Sequence, residues 1–391
     1  MKPFIPDQEY KQRIKKTQEA MKEKELDLLF CFGNEAEPQY VRYYSNYAPL
    51  FESAAILIPI EGDPVLLIGP ESETLAMEFS TIQNIKRILS LRESSEPEYP
   101  EAELDELEDI IEKLLLEKKD YKIGLVGSSL ITKNVFDELK NSAEKMGSID
   151  IVKSDELISK IKEIKSSNEI ACMQEAYNIL HYAFEQILKN IEKGMTENEI
   201  KGIALKAIYE KGGESEGYPF WILTGKGSNK PVGKIRNKKI KEGDIVHIQL
   251  GARYEGYVAS LGRAIVVGEP TSYQKKLIEA GLEVQKEILE QAKPGIEARK
   301  ISEIHYETLK KLGFEDYILY GPCHGTGLME NEHPWIESNS DYKLKPGMTF
   351  CTCLYLGNDE KKVGIRIEDG FYITEEGTHL FVDHNRKVLQ I

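Results

Sequence analysis

The sequence predicts two domains: an α/β domain over residues 1–154, and an α+β domain over residues 155–391 built from a duplicated unit. Three observations carry this. The chain has 391 residues, beyond the roughly 250–300 at which a single hydrophobic core stops growing. Its first 150 residues alternate strand-like and helix-like patterns. The remainder repeats one arrangement of glycines and apolar residues about a hundred positions apart.

In the first domain a helix is expected from Gln8 to Lys24, then a buried strand over Asp27–Phe32. Ala54–Pro59 and Pro64–Ile68 read as two further strands joined by the turn Glu61-Gly62-Asp63. Glu93–Leu107 is acidic and loop-like, Tyr121–Val126 resumes as a strand followed by a helix, and a boundary falls near Ser154–Asp155.

The second domain begins with two helices marked at their starts. Ser166 and Glu169 have capping-box spacing, and Ile170, Met173, Tyr177, Leu180, Phe184, Ile187, Leu188 and Ile191 keep to one helical face. Thr196 and Glu199 announce a second helix that runs to Lys211-Gly212-Gly213. Shifted by 101 positions, Gly194, Ile200, Ile203, Ile208 and Gly212 meet Gly295, Ile301, Ile304, Leu309 and Gly313. Shifted by 104, Lys241–Gln249 lies on Lys345–Cys353. Amphipathic helices resemble one another by chance, but matched glycines and a matched strand start exceed what periodicity supplies. A pseudo-two-fold unit is implied.

Two hairpins carry the polar residues of interest. His247–Tyr254 and Tyr257–Val267 are extended runs separated by Glu255-Gly256, a two-residue hairpin turn. Pairing Tyr254 with Tyr257 sets Gln249 opposite Gly262, makes Ser260 a diagonal neighbour of Gln249, and puts His247 two residues along the same face. In the second hairpin Cys351 and Cys353 share a face of one strand, and Arg366 and Glu368 share a face of the other.

Composition limits the functions available. Lys and Arg total 51 against 66 Asp and Glu, a formal charge of −15, so nucleic acid and anionic membranes are repelled on average. No stretch approaches the roughly 20 apolar residues of a membrane span, and the N-terminus lacks the apolar run of a signal peptide. A cytoplasmic protein is expected. Five scattered cysteines, Cys31, Cys172, Cys323, Cys351 and Cys353, do not form a disulfide framework and are expected as thiols.

The run Ile158–Ser166, Gly243-Asp244, Gly256-Tyr257, Arg263, Cys323-His324-Gly-Thr-Gly-Leu328, Glu332-x-Pro334-Trp335, Lys345–Phe350 and Arg366-Ile-Glu-Asp369 resembles the creatinase, prolidase and aminopeptidase P superfamily. The resemblance implies a ribonuclease-H-like N-terminal domain, a pita-bread C-terminal domain and a homodimer. It implies hydrolysis of a small-molecule or short-peptide substrate. It also implies two divalent metals held by two Asp on the first hairpin, a His in the glycine-rich loop and two Glu on the second hairpin.

This chain departs from that set at three of the five places: Gln249 and Ser260 stand for the two Asp, and Cys353 for the first Glu. Only His324 and Glu368 match. Asn331 replaces a second family His, and Val232 stands at the substrate-side position where another is expected. Four carboxylates would cancel most of the charge on two dications, whereas Glu368 and a Cys353 thiolate supply at most two negative charges. A dinuclear centre is therefore not expected, nor any cofactor.

Three readings remain open. In the first, His324, Glu368 and Arg366 hydrolyse a carbon–nitrogen bond without metal, as the creatinase branch does, with a thiol at Cys323 or Cys353 as a further nucleophile and Arg366 holding a substrate carboxylate bidentately. In the second, the pocket binds a peptide or small ligand without turnover. In the third, His324, Cys353 and Glu368 hold one zinc in an atypical Xaa-Pro peptidase. Trp221, Tyr257, Asn331 and His333 are expected near the substrate, although aromatic side chains there more commonly pack the walls, and His247 or His333 is more commonly structural.

Overall fold

The computed structural model describes residues 2–115, 120–383 and 385–391. Two compact units result: Ile5–Lys162, and Glu163–Ile391 with the stretch ending at Phe4.

In the first unit the strands β1 (Leu28–Gly33), β2 (Ala54–Pro59), β3 (Val65–Ile68), β4 (Ile85–Arg87), β5 (Asp120–Val126) and β6 (Ser148–Lys153) form one sheet in the order β4-β3-β2-β1-β5-β6. The first three run antiparallel, while β5 pairs parallel with β1 and β6 parallel with β5. This is the ribonuclease-H-like arrangement. Every residue of β1 is buried, as a central strand covered on both faces requires, which is why it reads as a continuous apolar run. Helices α1 (Asp7–Glu23), α2 (Gln39–Ser45), α3 (Glu73–Phe79), α4 (Leu107–Leu114) and α5 (Lys133–Glu144) complete the layers. Leu28, Phe30 and Phe32 pack with Ile111 and Leu139 in the core. Helix α6 (Asp155–Lys162) clusters with this unit. Its first residue holds it there, because Asp155 accepts hydrogen bonds from the backbone of Gly127 at 2.9 Å and the hydroxyl of Ser128 at 2.7 Å.

The second unit opens with α7 (Ser167–Asn190) and α8 (Glu197–Glu210), whose capping boxes at Ser166 and Thr196 form as the spacing predicts. Strands β7 (Trp221–Thr224), β8 (Ile245–Tyr254) and β9 (Tyr257–Val266) follow, then α9 (Ser272–Gln291) and α10 (Ala298–Leu312). The chain ends with β10 (Cys323–Gly325), β11 (Glu332–Ile336), β12 (Thr349–Asn358), β13 (Val363–Thr374), β14 (Gly377–Leu380) and β15 (Leu389–Gln390). The curved sheet runs β11-β10-β12-β13-β9-β8-β7, with β14 on β13 and β15 on β9.

The duplication is visible bond by bond. Gly194 N donates to Ile240 O and Ile240 N to Met195 O; Gly295 N donates to Leu344 O and Leu344 N to Ile296 O. Glu197 N donates to Lys238 O, and Ala298 N to Tyr342 O. Gly194 and Gly295 sit at φ +100° and +85°, a region open to glycine at little cost, so the same turn recurs because the same residue does.

The halves meet where β9 and β13 pair at Gly262 and Glu368. A Cβ on Gly262 would lie 3.0 Å from Glu368 N and 3.1 Å from Arg366 Cγ, so glycine there permits the approach. Arg263 reinforces it from the opposite face. Its Nη1 donates to the carbonyls of Gly262 and Glu368, and its Nη2 to Asp369 at 2.7 Å, all buried. Ile367 and Ile365 on that face pack with Leu277 and Ile288 of α9 in the core. Among the described residues no helix is long and apolar enough to cross a membrane.

Candidate functional site

The register of the first hairpin is the expected one, with Tyr254 opposite Tyr257 and Gln249 opposite Gly262. Cys353 lies opposite Glu368, and Glu368 opposite Gly262, so strand alternation delivers Gln249, Ser260, Cys353, Arg366 and Glu368 to one face of the sheet. All five are buried.

Glu368 is the centre, with both carboxylate oxygens engaged. One accepts from Arg366 Nη1 at 2.7 Å and from the Cys353 thiol at 3.0 Å; the other accepts from Gln249 Nε2 and Ser260 Oγ, each at 2.8 Å. Burial pushes its pKa up, but the Arg366 charge and the hydrogen bonds from Cys353 and Arg366 outweigh that and hold the carboxyl below its ordinary value. Burial, and after it the charge of Glu368, pushes the Cys353 thiol well up, so Cys353 is a protonated donor here and no thiolate.

Arg366 uses its other terminal nitrogen on Pro231 O at 2.8 Å, and its guanidinium lies 5.7–5.9 Å from the ring centres of Trp221, Tyr320 and Tyr355. Only Nε is left without a partner. Three of its five N–H bonds are used, on Glu368, Cys353 and Pro231, which leaves Nε–H and one N–H of Nη2 for a ligand.

His324 stands on β10 opposite Cys351. Its Nδ1 is 3.0 Å from Gly325 O, a carbonyl that can only accept, so Nδ1 carries a proton. Nε2 has no hydrogen-bond partner; the nearest carboxylate oxygen is Glu330 Oε1 at 3.6 Å, beyond hydrogen-bonding range. His247 is fully buried, with Nδ1 3.1 Å from Ser228 O, Nε2 unpartnered, and a pKa lowered to about 4 by burial and then by Arg366.

Other expected residues lie elsewhere. Tyr257 is buried with its hydroxyl donating to Glu169 at 2.9 Å, so it ties β9 to α7 on the far side of the sheet. His333 and Asn331 are exposed, and Asn331 hydrogen-bonds Glu330. Trp335 stands beside His324, ring centres 5.4 Å apart. Glu332 pairs with buried Lys165 at 3.4 Å. Trp221 does border the cluster, opposite Gln249.

Sequence reasoning missed Tyr218, Tyr320 and Glu330. Tyr218 and Ser260 hydroxyls are 2.6 Å apart; Tyr320 stacks near Tyr355, its hydroxyl 3.6 Å from Cys353 Sγ. Glu330 is largely buried and its carboxyl is pushed above the ordinary value by desolvation, against the opposing pull of His324. No spacing marked any of them; for Glu330 the one signal was its place between the glycine-rich loop and the matched Glu332.

Comparison with known proteins agrees with this architecture. The model of the metallopeptidase family M24 matches residues 171–375, and that of the creatinase/prolidase N-terminal domain matches 13–164. The chain is 30% identical over 382 residues to an Xaa-Pro dipeptidase of Pyrococcus furiosus, covering 97% of this chain and 100% of that one. It is 28% identical over 380 residues to an Xaa-Pro dipeptidase of Pyrococcus horikoshii, covering 97% and 99%. The crystal structure of the prolidase from Pyrococcus horikoshii OT3 matches with a TM-score of 0.82 at 27% identity, over 97% of this chain and 100% of that one. With the pita-bread sheet, the ribonuclease-H-like unit and these matches in agreement, the chain belongs to metallopeptidase family M24, in the creatinase, prolidase and aminopeptidase P superfamily.

Proposed function

We propose that this chain hydrolyses a carbon–nitrogen bond in a small polar substrate without a pair of divalent metals. One observation carries the reading: four hydrogen-bond donors surround Glu368, namely Arg366, Cys353, Gln249 and Ser260. Two dications would need acceptors in those places. Gln249 turns its amide nitrogen to the carboxylate, Cys353 keeps its proton, and the guanidinium of Arg366 already balances the charge. The donor set does not fit a dinuclear centre, and a single zinc on His324, Cys353 and Glu368 would need the thiol deprotonated and Glu368 released from its ion pair.

In this reading Glu368 is a fixed anion that orients Arg366. The bare Nε2 of His324 takes a proton from the attacking water, the water oxygen bonds to the substrate carbon, and the carbon–nitrogen bond breaks as the proton passes to the leaving nitrogen. Arg366 Nε donates to the oxygen on which charge develops. By resemblance the working form is a homodimer in the cytoplasm.

The protonated thiol and the fully engaged carboxylate also favour a second reading, a homologue that holds a peptide or small ligand without turnover. A metabolite-library thermal-shift screen followed by product detection separates the two, because a binder stabilises on ligand and returns it unchanged. Both readings expect protein purified without chelator to carry well below one transition metal per chain, and negligible cleavage of Xaa-Pro dipeptides in manganese. Close to two metals per chain, with turnover abolished by Glu368→Ala, would restore the two-metal peptidase.

A further inference from the structure

Helix α10 buries a polar side chain where its counterpart in the first repeat buries none. Under the shift of 101 positions Ile301 and Leu309 meet Ile200 and Ile208, apolar on both helices, whereas His305 meets Ala204, a buried alanine. The repeated fold therefore does not itself require an imidazole at this place. His305 is 4% exposed and has no hydrogen-bond partner among the described residues. A buried polar group without a bond is costly, so a histidine in place of alanine calls for a partner that the chain does not supply.

His305 lines a cavity of about 630 Å³, the size of a small-molecule pocket, between α10, residues 318–321 and residues 337–339. Its wall carries one sign of charge: Glu303, Glu307 and Glu337 line it, and no Lys or Arg does. Glu303 is paired with Lys300 at 2.7 Å, while Glu307 and Glu337 have no ion-pair partner among the described residues. Lys310 Nζ lies 5.8 Å from the ring centre of Tyr306 and does not line the cavity. Glu337 reaches over Gly321, where an added Cβ would lie 3.4 Å from its Cγ. Ile318 and the ring of Tyr306, a residue 47% exposed, supply apolar surface. Burial lowers the pKa of His305 to about 4, so the imidazole is neutral near pH 7, and in either tautomer it presents one N–H and one lone pair.

We infer that this cavity is a second binding site, for a small organic cation: a primary ammonium or guanidinium on an apolar stem, its charge facing Glu307 and Glu337, one N–H donated to His305, and its stem against Ile318 and Tyr306. A concave wall of one sign concentrates the opposite charge, and an aromatic face adds to the attraction. No three metal-ligating side chains stand together among the described residues, so the chemistry is that of an organic cation rather than a metal ion. The site lies apart from the Glu368 cluster and requires no turnover there. Tyr320, its hydroxyl 3.6 Å from Cys353 Sγ, borders both.

The test is calorimetric titration of the full-length protein at constant ionic strength with n-butylammonium and n-butylguanidinium, beside neutral pentanol and anionic pentanoate. The imidazole Cε1–H signals of carbon-13 histidine-labelled protein are followed in parallel, that of His305 being identified by its loss in His305→Leu. Saturable binding of at least one cation is expected, at least tenfold tighter than pentanol, with none for pentanoate and with a shift of the His305 signal. Glu307→Gln combined with Glu337→Gln should weaken that binding at least fivefold; both carboxylates are exposed, so the melting temperature of the free protein should stay unchanged. N-acetyllysine amide and N-acetylarginine amide, run alongside, distinguish a basic peptide side chain from a free amine as the source of the cation, and tight binding of either supports the site. Cations held no tighter than pentanol, unchanged affinity in the double variant, or binding that shifts other imidazoles and leaves His305 unmoved would each overturn the assignment. Because the readout is affinity at a separate cavity, absence of hydrolysis would sink the proposed reaction without touching this site, and the reverse also holds.

Discussion

Arg366 is a cation built into the sheet beside the carboxylate it neutralises, and its weight lies in what its removal leaves behind. Arg366→Met strands Glu368 without a counter-charge in a fully buried setting, so a loss of about 3–5 kcal/mol in urea unfolding is expected. Adding Glu368→Gln to the same chain should recover much of that loss, since an uncharged pair leaves no stranded ion; a strictly additive double variant would show that the two do not act together. The cluster was legible from the sequence because strand alternation and one hairpin turn fix which side chains share a face. Its bonding pattern was not, since no spacing says that Gln249 presents nitrogen or that Cys353 stays protonated. Glu330 was illegible for a similar reason: a lone acid in a loop has no period, and only the folded chain sets it near His324.

Among elements, helices with side-chain caps were the easiest to place. Ser166 closes its box with Glu169, accepting from Glu169 N at 3.1 Å while Ser166 N donates to Glu169 Oε2 at 2.9 Å. Ser166→Ala should therefore lower stability by about 1 kcal/mol in denaturant titration, with an unchanged m-value. Thr271 and Gln274 form the same motif at the start of α9, a signal present in the sequence and not used. Helix α6 follows a different rule. The carboxylate of Asp155, bonded to the Gly127–Ser128 turn, decides which unit it joins, and a contact across 27 or 28 positions leaves no local trace.

At the scale of the whole molecule, acidity should weaken the fold through buried histidine. His305 lies on the inward face of α10, and burial lowers its pKa to about 4. The unfolded chain, with a histidine pKa near 6.5, takes up that proton first, so the contribution is intact above about pH 6.5 and is lost as pH falls toward 4. The loss amounts to at most about 3.4 kcal/mol. His305→Leu should flatten that part of the stability-versus-pH curve, measured by urea midpoints from pH 7 to 4.5.

The joint between the two repeats has one more consequence. Beta-strands β9 and β13 are matched across it at Gly262 and Glu368, with Arg263 bracing the reverse side. A methyl group introduced at position 262 would act as a wedge driven from the pocket side against a brace on the other. Gly262→Ala should loosen the junction before either repeat melts, with amide hydrogens on the facing edges of β9 and β13 exchanging faster while those in the outer hairpin ladders keep their protection. The candidate cluster and the seam between the repeats thus share Glu368 and its strand neighbours, so a disturbance of the seam reaches the pocket directly.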